Sequence, residues 1–121
     1  MNFINDKDTP ISYFKDKVNQ FVEERNWKKY HTPKNLIQAM SIEIAELSEI
    51  FLFNEYTLND ILSNKNLSER ISEETADVFI YLVSFINSLN LDLTDIFSKK
   101  MLKNKQKYST DEFKNGRYQK K

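Results

Sequence analysis

Residues 33–54 read PKNLIQAMSIEIAELSEIFLFN, and residues 68–90 read SERISEETADVFIYLVSFINSLN. In both stretches the apolar side chains recur every three or four residues, a spacing that places them on one face of an α-helix. Pro33 suits a first helical turn, with Thr32 as its N-cap, and Asn90 can end a helix in a left-handed conformation. The sequence therefore predicts two long amphipathic helices over these ranges.

Shorter helical segments flank the two long helices. The same spacing predicts a helix over residues 10–26, with Phe14 and Phe21 on its apolar face. It also predicts a short helix around 58–62 and a helix over 93–108, which Asp92 can cap. No segment shows the sustained alternation of a strand. We expect an all-α fold, a four-helix bundle that oligomerisation completes, because one subunit alone would leave apolar helix surface exposed.

The composition excludes several classes of site. The 121 residues suit one domain and include no Cys, so disulfides, thiolate zinc sites and a cysteine nucleophile are excluded. A single glycine, Gly116, cannot form a glycine-rich phosphate loop. The N-terminus lacks the pattern of a secretory signal, and the longest apolar run is too short to span a membrane. We expect a cytoplasmic protein with no membrane partner.

The charges are balanced in total and separated along the chain. Eighteen basic side chains oppose eighteen acidic ones, which argues against binding a nucleic-acid polymer. Residues 96–121, however, hold nine basic and two acidic side chains, a balance of +7, and residues 1–95 carry −7. We predict a domain over residues 1–108, followed by a polar, basic tail over residues 109–121.

Four carboxylates lie on or beside the apolar faces of the two long helices. On a helical wheel, Glu43 falls inside the apolar arc of the first, and Glu46 lies about 60° further round. Glu74 lies at the border of the second apolar arc, with Asp77 about 60° away. An unpaired buried carboxylate is strongly destabilising, so two such pairs require compensating charge.

The compensating charge has two possible sources. A single Glu of this kind is typically a boundary residue that reaches solvent or pairs with a lysine. Basic residues are scarce here, however, since the two helices offer only Lys34 and Arg70 near these positions. A divalent cation is the natural partner, and a set of oxygen ligands favours Mg²⁺, or Mn²⁺, over zinc. A ferritin-like di-iron site would need Glu-x-x-His, which the sequence lacks.

The two acidic motifs carry a family resemblance. Glu43-Ile-Ala-Glu46 and Glu74-Thr-Ala-Asp77 resemble the paired motifs of the all-α nucleoside triphosphate pyrophosphatases, the MazG-like superfamily, and its dCTP pyrophosphatase branch in particular. The resemblance covers about residues 11–108. Its other points are Glu24 to Trp27, His31 to Leu36, Glu46 to Phe51, Asp77 to Leu82, Ser98 to Met101 and Asn104 to Tyr108.

The resemblance implies hydrolysis of a nucleoside triphosphate between its α and β phosphates, which yields the monophosphate and pyrophosphate. dCTP and modified deoxynucleotides are the candidate substrates. It implies Mg²⁺ held by Glu43, Glu46, Glu74 and Asp77, with Glu46 or Glu49 orienting or deprotonating the attacking water. It also implies a homo-oligomer, a dimer or a tetramer.

The resemblance also places the nucleotide. Lys100 would contact phosphate and Asn104 the base or sugar, and both share one helix face with Tyr108, although a row of this kind is typically solvated surface. Phe53 stands where a second tryptophan is usual, and Ala45 where glycine is common, so base preference stays open. Lys103 and Arg117 are weaker phosphate candidates. The expected substrate-binding residues are Trp27, His31, Asn35, Phe53, Tyr81, Lys100, Asn104 and Tyr108.

A competing hypothesis is a non-catalytic helical interaction module whose acidic face binds a basic partner. That hypothesis predicts that Glu43 and Glu74 are exposed and that Mg²⁺ leaves stability unchanged. The pyrophosphatase hypothesis predicts strain among the acidic side chains that Mg²⁺ relieves.

Overall fold

A computed structural model describes residues 4–121, and this part of the chain contains helices and no strand. The all-α prediction is confirmed. Within residues 4–121 there are five α-helices, which are the four longer helices of the predicted bundle and the short helix predicted around residues 58–62. The helices are α1 (Ile11–Glu24), α2 (Pro33–Phe51), α3 (Leu58–Ser63), α4 (Lys65–Ser88) and α5 (Leu93–Lys107), with a 3₁₀ turn at Lys28–Tyr30 between α1 and α2.

The start of α4 differs from the prediction. The helix begins three residues earlier than expected, because the Asn64 side chain accepts a hydrogen bond from the Leu67 backbone N–H at 3.0 Å and caps it. Just upstream, Thr57 and Asp60 form a reciprocal capping box that starts α3. Local capping by short polar side chains therefore sets both boundaries.

The end of α2 also differs from the prediction. The helix stops at Phe51 instead of continuing to Asn54, since Leu52 is extended and Phe53 has a positive φ of 60°. The Asn54 side chain donates to the Leu52 carbonyl at 3.1 Å and holds this turn. Phe53 is left 97% exposed.

In residues 4–90, α4 is the central helix and packs against α2, α1 and α3. Leu36 and Val83 are the most deeply buried side chains, and their burial supplies apolar stabilisation between α2 and α4. The α1 helix is tied to α4 by the Asn87 side chain, which donates to the Lys15 carbonyl at 3.1 Å. The remaining core side chains are Val22, Ile50, Leu67 and Ile86.

The chain divides into two compact units, the first ending at Asn90 and the second comprising Leu91–Lys121. The second unit consists of α5 and the tail, which forms turns. The predicted domain bounds of 1–108 and 109–121 stay a prediction.

Large apolar side chains remain exposed on the first unit. They include Ile42, Leu52, Leu58 and Leu62, in addition to Phe53. Such surface is typical of a chain with a partner, although the predicted oligomer stays a prediction.

No single helix within residues 4–121 is long and apolar enough to cross a membrane. When α4 and α5 are counted as one segment, the pair is long and apolar enough by length and composition alone.

Candidate functional site

Three of the four predicted metal ligands lie close together. The packing of α2 on α4 brings Glu43 and Glu46 opposite Glu74, and one carboxylate oxygen from each lies within 4.8 Å of the others. We call these three residues the acidic triplet. Glu43 and Glu46 are separated by three positions, so both project from the side of α2 that faces α4.

Burial of the triplet is uneven. Glu43 and Glu74 are half-buried and Glu46 is exposed. The Oε2 atoms of Glu43 and Glu74 are fully buried and have no hydrogen-bond partner. Because a buried polar atom without a partner is destabilising, these two oxygens indicate that the protein alone does not complete the site.

Electrostatics confirm the crowding of negative charge. Burial raises the pKa of Glu43 from 4.5 to about 7, with further increases from the adjacent Glu46 carboxylate and from the charges of Asp77 and Glu74. Burial also raises the pKa of Glu74, as does the neighbouring Glu46 charge. Both raised pKa values mean that it is unfavourable for all three carboxylates of the triplet to be ionised together.

The acidic triplet fits a hard divalent cation. No ion pair found among residues 4–121 involves Glu43, Glu46, Glu74 or Asp77, so no fixed Lys or Arg neutralises them. The donors are carboxylate oxygens, the ligands that Mg²⁺ and Mn²⁺ prefer. The competing interaction-module hypothesis requires exposed Glu43 and Glu74, whereas both are half-buried.

The two other predicted acidic residues lie outside the triplet. Asp77 is not among its ligand atoms, but its charge acts on both Glu43 and Glu74, and it lines the cavity beside Glu43. Glu49 is exposed and contributes no side-chain oxygen to the triplet. Its backbone carbonyl accepts the Leu52 N–H at 3.1 Å, close to the end of α2.

A cavity of about 630 Å³ lies next to the acidic triplet, within residues 4–90. Glu43 and Asp77 belong to its wall, and so do Trp27, His31 and Tyr81, three of the residues predicted to bind substrate. Burial lowers the pKa of His31, which favours its neutral imidazole. A largely apolar cavity with a few polar groups is the usual form of a small-molecule site.

Trp27 is placed by the turn after α1. Asn26 has a positive φ of 56°, and the Trp27 backbone N–H donates to the Val22 carbonyl at 3.1 Å. The indole meets the Phe21 ring edge to face at 5.9 Å and remains 44% exposed. One side of this aromatic pair is therefore available to a ligand.

Sequence reasoning gave no binding role to the other residues of the cavity wall. Phe14 and Phe21 were assigned to the apolar face of α1, although both line the cavity. The sequence gave no signal for Lys17, which lies between them, or for Ser84, which follows the deeply buried Val83.

Two predicted substrate contacts are absent from this cavity wall. The Asn35 side chain is exposed and donates to the Tyr30 carbonyl at 3.0 Å, which fixes the 3₁₀ turn before α2. Phe53 is also absent from the wall, and nearly its whole side chain is exposed.

The remaining predicted contacts lie in the second unit. Lys100, Asn104 and Tyr108 share one helix face, as their spacing predicted, and all three line a cavity of about 680 Å³ within residues 91–121. Arg117 lines the same cavity, whereas Lys103 does not.

Comparisons with known proteins identify the family of the chain. A family model described as the MazG-like family matches residues 38–120. The chain is 33% identical over 90 residues to dCTP pyrophosphatase 1 of Mus musculus, covering 74% of this chain and 53% of that protein. It is 32% identical over 93 residues to dCTP pyrophosphatase 1 of Homo sapiens, with the same coverage. The chain thus spans about half the length of the curated relatives it matches.

A solved structure extends the match to the fold. The crystal structure of a pyrophosphatase from Archaeoglobus fulgidus DSM 4304 aligns with a TM-score of 0.73 and 32% identity, covering 90% of this chain and 98% of that one. Since the family model also covers more than half of the residues, the protein belongs to the MazG-like family.

Proposed function

We propose that the protein is a divalent-metal-dependent nucleoside triphosphate pyrophosphohydrolase. It cleaves a (d)NTP between the α and β phosphates to give the monophosphate and pyrophosphate, and dCTP or a modified dNTP is the proposed substrate. The observation that carries this proposal is the pair of buried, unpartnered carboxylate oxygens of Glu43 and Glu74 beside an aromatic cavity.

Glu43, Glu46 and Glu74 would hold Mg²⁺, and Asp77 would add a fourth acidic group at the edge of the cavity. When bound, the cation neutralises phosphate oxygens and lowers the pKa of a coordinated water. Without it, the four carboxylates would repel a triphosphate.

Glu46 is the better candidate for orienting or deprotonating the attacking water. It belongs to the acidic triplet and is exposed, so solvent can reach it, whereas Glu49 lies outside the triplet. A general base must lie within hydrogen-bond reach of the proton that it takes.

The cavity would bind the nucleobase. The exposed side of Trp27 offers a stacking surface, and Tyr81 supplies a second aromatic ring. Neutral His31 has one nitrogen that donates and one that accepts a hydrogen bond, so it can contact the polar edge of a base. Lys17 places a positive charge in the same cavity as Glu43 and Asp77.

The proposed enzyme is a homo-oligomer, a dimer or a tetramer, because the first unit exposes large apolar side chains. Light scattering coupled to size-exclusion chromatography tests this, and a monomer would contradict it. The cytoplasmic location stays a prediction.

Pyrophosphate release from a panel of dNTPs and their base-modified forms tests the activity. Each substrate is assayed with Mg²⁺, with Mn²⁺ and with EDTA. We expect metal-dependent release of one pyrophosphate for each monophosphate formed. If no triphosphate is cleaved with either metal, or if orthophosphate is the first product, the proposed function is wrong.

A further inference from the structure

Ser84 is a buried polar residue to which the proposed function gives no role. It is 6% exposed, and within residues 4–121 it is the one polar residue among those that are buried. It lies on α4 and lines the cavity of about 630 Å³ beside the acidic triplet. A polar group in such a place requires a hydrogen-bond partner.

The Ser84 hydroxyl has no such partner in the described part of the chain. Three other hydroxyls of α4 donate to a carbonyl of the preceding turn at 2.7–2.8 Å, those of Ser72, Thr75 and Ser88. No bond of this kind is found for Ser84. Its oxygen is also not one of the fully buried oxygens without a partner, so part of its surface is open to a cavity.

Ser84 lies in line with the acidic side of the larger cavity. Asp77 and Ser84 are seven positions apart on α4, close to two full turns, so they project from one face with Tyr81 between them. At the rise of an α-helix the two positions lie about 10 Å apart along its axis. All three residues line the cavity. A nucleotide whose phosphates lie near Asp77 would extend its sugar and base along this row toward Ser84.

A second, smaller cavity of about 40 Å³ adjoins the first. His31 and Ser84 line both cavities, and Val18 and Val22 are the other residues that they share. The smaller volume is enough for one water molecule. The hydroxyl therefore has two candidate partners, a ligand in the larger cavity or a water in the smaller one. The row formed with Asp77 and Tyr81 favours the ligand.

We propose that Ser84 is a specificity-determining residue, which hydrogen-bonds the exocyclic group on the base edge opposite the sugar. The choice of a nucleotide as the ligand rests on the proposed function. This edge carries an amino group in cytosine and adenine and an oxo group in thymine and guanine. Because a hydroxyl both donates and accepts, Ser84 recognises either group. A base with hydrogen at this position leaves the buried hydroxyl unpaired and binds less well.

Binding of the four common deoxynucleoside monophosphates, the proposed products, tests this without hydrolysis. Trp27 is the only tryptophan of the chain and lines the cavity, so quenching of its fluorescence measures base binding. In MgCl₂ we expect Ser84→Ala to weaken this binding about three- to tenfold, the range for loss of one neutral hydrogen bond. The pyrimidin-2-one and unsubstituted purine analogues lack the exocyclic group, and each should bind the native and Ser84→Ala chains equally.

Thermal stability without a ligand gives a second readout. If the hydroxyl is unpaired in the free protein, Ser84→Ala removes an unsatisfied polar group and should leave Tm unchanged or raise it. Ser88→Ala is the matched control, because it removes a hydroxyl of the same helix that already donates to Phe85 and lines only the smaller of the two cavities. It should leave the affinity for the monophosphates unchanged.

Unchanged affinity in Ser84→Ala would overturn the proposal, and a lower Tm would then assign the hydroxyl to a buried water. Equal weakening for the monophosphates and their analogues would also overturn it, as would a native chain in which none of them quenches Trp27. Circular dichroism of each variant checks that the helices are intact.

Activity separates this inference from the proposed function. The expected dependence on Ser84 in a chain that releases no pyrophosphate would reject the proposed reaction and keep the role of Ser84 in base binding. Pyrophosphate release by Ser84→Ala with native KM for every dNTP would do the reverse.

Discussion

The acidic triplet and the cavity within residues 91–121 leave their charges uncompensated in different ways. In the triplet, Glu43 and Glu74 are half-buried, and each has one oxygen with no partner. The wall of the other cavity carries four basic side chains that are exposed to water and have no ion pair among the described residues, Lys100, Lys107, Arg117 and Lys120. Water screens the exposed cations, but it cannot reach the buried oxygens. The first region therefore depends on its counterion more strongly than the second, and substitutions there should have the larger effects.

The largest effect is expected from removing one charge of the triplet. Loss of a residue that only supports a metal ligand lowers activity by up to about 100-fold. Loss of a ligand itself should do more, so Glu43→Gln and Glu74→Gln should each lower kcat/KM by at least about 100-fold. Pyrophosphate release at saturating Mg²⁺ measures it. Glu73→Gln is the control, because it removes the charge of an exposed side chain next to Glu74. Equal activity in all three variants would mean that the triplet is not the metal site.

Metal should stabilise the first region. Mg²⁺ at about 100 times its Kd adds about 2.7 kcal/mol to the free energy of unfolding, because it binds the folded state only. That corresponds to a rise in Tm of roughly 10 °C for a domain of this size. Differential scanning fluorimetry with MgCl₂ or EDTA measures the shift. Glu43→Gln should reduce it, and an unchanged Tm in the native chain would support the non-catalytic module.

Stability without metal should depend on pH in a defined direction. The pKa of Glu43 is raised from 4.5 to about 7, so between these values the folded protein keeps a proton that the unfolded chain has lost. The free energy of unfolding therefore falls as the pH rises from about 4.5 to 7, and no further loss from this group follows above pH 7. In EDTA, Tm should therefore fall more steeply between pH 5 and 8 in the native chain than in Glu43→Gln. The same slope in both proteins would assign the pH dependence to other groups.

The smallest effect is expected in the tail. Gly116→Ala should lower the free energy of unfolding by about 1 kcal/mol, because alanine is strained at a φ of +73°. Nothing lies within 4 Å of an added Cβ, so the effect is conformational and not steric. Gly116→Asn should be less destabilising than the alanine variant, since asparagine tolerates this conformation. Thermal unfolding followed by circular dichroism measures both, and a lower Tm for Asn than for Ala would contradict this explanation.

The acidic triplet could be predicted because two local patterns agree. Glu43 interrupts an apolar face, and Glu46 follows at a spacing that keeps both on one side of α2, so sequence alone placed them opposite α4. The position of Asp77 outside the triplet depends on how α2 and α4 pack. Periodicity carries no information on that geometry.

The aromatic cavity and the tail were harder to predict for a similar reason. Phe14 and Phe21 were recognised as the apolar face of α1, but whether such a face closes a core or borders a cavity depends on the position of α1 against α4. In the tail, the contact of Lys121 with Tyr108 spans thirteen residues without any repeating pattern. Tertiary contacts of this kind leave no local signal.

The central position of α4 limits how this protein can change. Tyr81 and Ser84 line the cavity, while Val83, between them, is 1% exposed and holds the core together. A substitution that reshapes the cavity from this helix therefore risks global stability. Trp27, in the turn after α1, is 44% exposed, so a substitution there costs less core packing. If the proposed function holds, new base specificities should evolve more readily from the turn than from α4.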